Sequence, residues 1–252
     1  MCKIIGIVGN RGTGRKTAAW LLAQTIEEKR KGTPWEKYKV LFESWVKLVI
    51  IDPAEATSTD HVVLDSFGEH ILDQIKQFCP ALIEYDLHDE ATLKGFYINP
   101  ATFEVIPETS NEFAFDDVST CTASEYASLI LEPNKIRSGL YMSLNEFILY
   151  FAHYTMKHAF GPNVWLNIAV ATADAMGSSD SRIYWDVKTQ AELDYISRNK
   201  GTIIELRNAD REHDTDKMYR DIRCLDPDMV FDTTLGLHHC AKMFWNAANN
   251  LK

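Results

Sequence analysis

The stretch that most constrains this chain is Gly9-Asn10-Arg11-Gly12-Thr13-Gly14-Arg15-Lys16-Thr17. Before it runs Lys3-Ile4-Ile5-Gly6-Ile7-Val8, a short apolar segment that reads as a buried strand. After it, Thr17-Ala18-Ala19-Trp20-Leu21-Leu22-Ala23-Gln24-Thr25-Ile26 carries a helical pattern. Strand, glycine-rich loop and helix, in that order, is the context that a phosphate-binding P-loop requires. Glycines let the backbone curl so that its N–H groups face an anion. The helix start adds unsatisfied N–H groups and the positive end of a dipole. Gly9 and Gly14 have the spacing of G-x-x-x-x-G-K-[ST], but Arg15 takes the lysine position, Lys16 follows, and Thr17 comes one place late. The bland reading of the same residues is a β–α turn that binds nothing.

The rest of the chain alternates. Val40 to Asp52 is rich in Val, Leu, Ile, Phe and Trp, and suits one or two strands or an intervening helix. The first helix is expected to end near Gly32, with Glu27-Glu28-Lys29-Arg30-Lys31 as a solvated end. His61 to Asp65 reads as a strand, and Phe67, Ile71, Leu72, Ile75 and Phe78 repeat at helical spacing up to Pro80. Ser143-Leu144-Asn145-Glu146 is a capping box that opens a helix ended by Gly161-Pro162. Trp165, Ile168, Ala169 and Thr172 suggest a second helix. Ile183 to Val187 reads as a strand, Thr189-Gln190-Ala191-Glu192 as another capping box, and Thr202 to Leu206 as a strand. Asn208 to Asp216 reads as a polar loop, Met229-Val230-Phe231 as a short strand, and Leu237 to Leu251 as an amphipathic helix. Such alternation implies an α/β fold, a three-layer sandwich around a mainly parallel sheet. Ligands in such folds lie at the carboxyl ends of the strands. That edge gathers the glycine loop, Asp52 or Asp65, Asp186 and Arg207.

With 252 residues the expectation is one domain, residues 1–252, with an insertion at about 86–120. From Glu84 to Glu125 the character changes: ten residues are acidic and only Lys94 is basic, so this segment carries about −9 of the chain's net −10. Gly95-Phe96-Tyr97-Ile98 and Phe103-Glu104-Val105-Ile106 look like a hairpin around Asn99-Pro100. Deleting the insertion is expected to leave a folded domain. Its acidic face is either simply solvated or turned toward a basic protein partner. The overall negative charge argues against sequence-independent nucleic-acid binding. Five cysteines without a Cys-x-x-Cys pair fit a reduced, cytoplasmic protein better than a disulfide framework or zinc site. No signal peptide and no membrane-spanning run are expected.

Phosphoryl transfer needs positive groups on the phosphates, a metal and in-line positioning. Arg11, Arg15, Lys16, Lys188 and Arg207 are the candidate cations. Thr17 can offer a hydroxyl to Mg²⁺, and Asp186, after an apolar strand, can hold the metal through water. The alternative for Asp186 is a capping or turn aspartate.

The loop resembles the variant P-loop of phage deoxynucleoside monophosphate kinases, which reads Gly-Lys-Asp-Thr. Arg15 would replace its lysine, Lys16 its aspartate, and Thr17 keeps its hydroxyl. The likeness extends along the chain. Asp186-Val187-Lys188-Thr189-Gln190-Ala191-Glu192-Leu193-Asp194-Tyr195-Ile196 is similar to the family's Asp-Val-Arg-Phe-Pro-Asn-Glu-Ala-Asp-Tyr-Ile. Leu144-Asn145-Glu146-Phe147, followed by Phe160-Gly161 and Trp165, resembles its Arg-Glu-Phe helix and Gly…Trp segment. Ser66-Phe67-Gly68-Glu69 is similar to its Ser-Phe-Ala-Asp, and Arg207 and His213 fall where it has Arg-Pro and a later His. The departures share a direction: Arg15 for Lys, Asn145 for Arg, Lys188 for Arg, Leu72 for Lys. A bidentate arginine is not replaced by lysine or asparagine without loss.

The resemblance implies ATP on Gly9, Arg11, Gly12, Gly14, Arg15, Lys16, Thr17 and Arg207, with Mg²⁺ near Thr17 and Asp186. Arg15, Lys16, Asp186 and Lys188 would carry the transfer. The acceptor nucleotide would meet Ser66, Phe67, Asn145 and Glu146. It implies a transferase of deoxynucleotide metabolism in the cytoplasm, that of the host for a bacteriophage protein, and admits a homodimer. The alternative is a catalytically impaired kinase-like domain that serves as a viral structural or interaction protein. A GTPase would carry a guanine-reading Asn-Lys-x-Asp, which this sequence lacks.

Overall fold

The apolar segment before the glycine loop forms β1 (Lys3–Gly9), and its last five residues are buried. A computed structural model describes residues 2–9, 13–51, 57–109, 119–130, 139–175, 180–208 and 226–251. The chain divides into two compact units, one of residues 1–67 and 169–252, the other of residues 68–168.

The first unit is built on a five-stranded parallel sheet. Its strands are β1, β2 (Val62–Asp65), β7 (Ser181–Tyr184), β8 (Thr202–Arg207) and β9 (Met229–Asp232), in the order β2-β7-β1-β8-β9. The predicted strands at 3–8 and 182–187 are direct neighbours, with Lys3 opposite Ser181 and Gly6 opposite Tyr184. β7 ends at Tyr184, earlier than expected, so Trp185 and Asp186 occupy the turn beyond it. One face of the sheet carries α1 (Arg15–Arg30), α2 (Trp35–Ile51) and α10 (Leu237–Asn250). The Val40–Asp52 stretch is thus helical up to Ile51; Asp52 lies outside the described residues. Tyr38, Phe42, Leu22, Ile5, Ile183, Ile204 and Phe244 form the core on this side. The other face takes α9 (Gln190–Arg198), whose Ile196 sits so close to Gly6 that an added Cβ would lie 2.4 Å from its Cδ1. Helices on both faces of a parallel sheet make the three-layer α/β arrangement.

The end of α1 differs from the solvated run that its charges suggest. Glu27 and Glu28 are both buried. Glu27 accepts hydrogen bonds from the Thr59 hydroxyl (2.8 Å) and the His61 N–H (3.0 Å), so it ties α1 to the entry of β2. For Glu28, burial alone would raise the pKa; hydrogen bonds from Lys31 and Thr33 outweigh it and hold the carboxyl low.

The second unit has its own sheet and core. α3 (Glu69–Phe78), a 3₁₀ turn at Pro80–Leu82, and α4 (Glu90–Gly95) precede β3 (Phe96–Ile98) and β4 (Val105–Pro107). These strands form the predicted hairpin, with Tyr97 opposite Ile106. β5 (Ser119–Thr120), α5 (Ala123–Ile130) and β6 (Leu140–Ser143) follow, and the sheet order is β4-β3-β6-β5. A long helix then runs as α6 (Leu144–Leu149), a π-helical segment (Tyr150–Met156) and α7 (Lys157–Phe160), and this unit ends within α8 (Val164–Ala175), at Ile168. Ile75, Leu82, Leu87, Ile98, Met142 and Phe147 are at the centre of this unit. The body outside the parallel sheet therefore extends well beyond 86–120. Residues within that span, Leu87, β3 and β4, belong to its core, so the expected deletion would cut through a folded unit. Among the described residues, no helix is long and apolar enough to cross a membrane.

Candidate functional site

β1 ends at Gly9, buried deep in the sheet beside Leu206. An added Cβ here would lie 2.8 Å from Thr13 Oγ1 and 3.0 Å from the Leu206 carbonyl oxygen, so only glycine lets the returning loop come this close. Asn10, Arg11 and Gly12 lie outside the described residues. Thr13 is buried against Gly9, a contact that sequence spacing alone does not reveal. Gly14 adopts a left-handed conformation (φ 79°) and starts α1, its carbonyl accepting the Ala18 N–H at 2.8 Å.

The start of α1 reverses the usual electrostatics of a helix. Its N-cap, Gly14, has no side chain to cap it, and its first turn holds no acid but Arg15 and Lys16. Cations are disfavoured at the positive end of a helix dipole by about 0.3–1 kcal/mol each. By contrast α3 and α9 carry Glu69 and Glu192 in their first turns, whereas α10 resembles α1 in having glycine at its N-cap and no acid there, but also no Arg or Lys in its first three residues. An anion bound at the α1 terminus would remove the conflict.

The neighbouring strand brings carboxylates to the same edge. Trp185 follows β7, and the Lys16 ammonium lies 5.7 Å from the centre of its ring, so the first turn of α1 meets the end of β7. Asp186 is only 2% exposed. Its Oδ1 accepts the Phe67 N–H at 2.8 Å, and its Oδ2 lies 3.9 Å from Lys188 Nζ. Asp186 therefore fastens the loop after β2 as well as facing Lys188. Ser66 and Phe67 are buried in that loop; the Phe67 ring stacks on Tyr184 at 4.3 Å, and the Ser66 N–H donates to Asp65 Oδ1. Asp65 in turn forms a buried ion pair with Arg182 at 2.8 Å. Sequence alone did not reveal this pair, which lies under the site: Arg182 is a lone charge at the edge of an apolar run, and its partner stands 117 residues earlier.

Lys188 and Thr189 hold the start of α9 through Glu192. The Glu192 carboxylate accepts the Lys188 N–H (2.6 Å) and Thr189 N–H (2.9 Å), and the Thr189 hydroxyl accepts the Glu192 N–H, the reciprocal capping box that the sequence predicts. Burial nevertheless pushes the Glu192 pKa up. Arg207 stands at the same edge of the sheet, one residue beyond the level of Gly9, and its guanidinium is paired with Glu205 at 2.8 Å. His213 lies outside the described residues.

Asn145 and Glu146 belong to the second unit. Asn145 is exposed. The Ser143 hydroxyl accepts the Glu146 N–H, but the Glu146 carboxylate accepts the Ala123 N–H at 2.8 Å, at the start of α5. The expected capping box is thus half formed, and its acid braces a different helix. Among the described residues no group of three or more His, Cys, Asp or Glu is placed to hold a metal ion; Thr17 and Asp186, the residues expected at Mg²⁺, offer a hydroxyl and a carboxylate, both hard oxygen. That chemistry fits an ion that takes one or two carboxylates, substrate phosphates and several waters.

No protein-family model matches the sequence, and no curated protein matches it significantly. The resemblance to the phage kinases therefore rests on the ordered motifs themselves.

Proposed function

We propose that this chain binds a nucleoside triphosphate at the β1–α1 loop and transfers its terminal phosphoryl group to a deoxynucleoside monophosphate. The observation that carries the reading is the cationic start of α1 with glycine at its N-cap, directly after a loop whose glycines are forced by close approach at Gly9 and by positive φ at Gly14. Arg15 and Lys16 would hold the phosphates, and Thr17 with Asp186 would hold Mg²⁺, which supplies charge neutralisation on the phosphate oxygens when bound. Lys188, beside Asp186, adds a further cation near the transferring group. Ser66 and Phe67 mark where the resemblance puts the acceptor.

A second reading, nucleotide binding without turnover in a viral structural or interaction protein, is favoured by one set of contacts. Asp186 is buried and committed to Phe67, and Arg207 to Glu205. An ADP-release assay with Mg²⁺ and each deoxynucleoside monophosphate separates the two. Release that depends on one acceptor supports the kinase. Binding of ATP with no release for any acceptor supports the second reading, and absence of both rejects the site.

A further inference from the structure

The opposite edge of the parallel sheet carries a second cluster of cations. There, at the start of β1 and β7, a cleft of about 370 Å³ is bordered by Lys3, Lys29, Arg30 and Asp180, over an apolar floor that includes Ile26 and Leu251. A second cleft of about 290 Å³ shares Lys3 and Leu251 with the first and adds Lys200, beside the start of β8. The two clefts lie side by side across the starts of β7, β1 and β8, with Lys3 and Leu251 at their common border, and make one grooved edge roughly 10 Å wide at about 4.8 Å per strand. Among its described lining residues, four are basic and only Asp180 is acidic, in a chain whose net charge is −10.

Three of these cations are already held in place. Lys3 Nζ donates to the Leu251 carbonyl, the Lys29 ammonium sits 3.2 Å from the centre of the Trp245 ring, and Arg30 pairs with Asp180 at 2.7 Å. A lysine ammonium has three donors, so the bond from Lys3 to Leu251 leaves others to offer. Groups fixed beforehand lose little freedom when a ligand arrives. β1 spans seven residues, so this edge lies roughly 20 Å from the glycine loop, too far for one nucleotide's phosphates to reach both.

We infer that this groove is a second anion site, built for a compact polyanion that carries several phosphate groups. Lysine ammonium groups bind phosphate as point charges, and a row of them suits a chain of phosphates better than a single carboxylate. Asp180 weakens the site: it occupies Arg30 and repels the ligand, while also facing His61 Nδ1 at 3.3 Å.

The test uses inorganic tripolyphosphate at low salt with the full chain carrying Arg15→Ala and Lys16→Ala, which silences the glycine loop. Binding is followed by calorimetry and by the fluorescence of Trp245, assigned with Trp245→Phe. Saturable binding is expected, weakening as salt is added. Lys200→Asn, which tolerates the left-handed backbone at that position (φ 55°), should weaken binding roughly two- to fivefold. Asp180→Asn should tighten it by a similar factor, a gain that misfolding cannot mimic. ATP tested on the same background identifies the source: tighter binding than tripolyphosphate points to a nucleotide, equal binding to the phosphate chain alone. No saturable binding, or an affinity unmoved by either Lys200→Asn or Asp180→Asn, overturns the proposal. Because the glycine loop is silenced throughout, that failure leaves the proposed kinase site untouched.

Discussion

Two buried acids near the site behave in opposite ways. Asp65 has Arg182 as its partner, and the side chains are 10% and 5% exposed. Removing the guanidinium leaves a carboxylate without its counter-charge, a change that costs about 3–5 kcal/mol. Arg182→Met should therefore lower unfolding free energy by that amount in denaturant titration, and a loss under about 1 kcal/mol would show that the pair adds little. Glu192 has backbone donors instead, and burial raises its pKa above the ordinary carboxylate value. A raised pKa means that the folded state favours the proton. Its contribution to stability is complete below about pH 4.5 and is lost as pH rises through the folded-state value. Glu192→Gln keeps a carbonyl oxygen for the capping box and carries no charge. The variant should match the unmutated protein most closely near pH 4 and gain on it as pH approaches 7. A pH-independent difference would contradict this. Gly9→Ala probes the loop: with a new Cβ 3.0 Å from a backbone oxygen, nucleotide binding should fall and stability drop by about 1–3 kcal/mol.

At the scale of elements, legibility followed the signals that sequence carries locally. The strand at Lys3–Gly9, the hairpin at Phe96–Pro107 and the capping box at Thr189 are set by short-range pattern, and the structure has all three. What was not legible depends on distant partners. Glu27 looks solvated until Thr59 and His61 are seen to donate to it. Glu146 looks like the second half of a capping box until Ala123 arrives from an earlier segment. The acidic segment looks like an appendage because charge conceals the few apolar residues, Leu87 and Ile98, that bury it. β3 is the antiparallel partner of β6, with Ile98 opposite Met142, so excising 86–120 strips β6 of that partner. Such a variant should lose the ordered tertiary signal of the second unit and expose apolar surface to a hydrophobic dye. An unchanged cooperative melt would mean that 68–168 does not depend on this hairpin.

For the whole molecule, the sheet order and the loop geometry together place Gly9, Gly14, Arg15, Lys16, Thr17, Asp186, Lys188 and Arg207 along the carboxyl edge of one parallel sheet. Nucleotide binding there is the central claim, and calorimetry of Mg²⁺–ATP tests it most directly. Charge-assisted hydrogen bonds to phosphate contribute about 1.5–3 kcal/mol each. The unmutated protein should bind ATP at the glycine loop, Arg15→Ala should weaken that binding by roughly ten- to a hundredfold, and Arg15→Lys should bind comparably. An unmutated protein that gives no heat of binding with Mg²⁺ present, or an Arg15→Ala variant with unchanged affinity, would contradict the account.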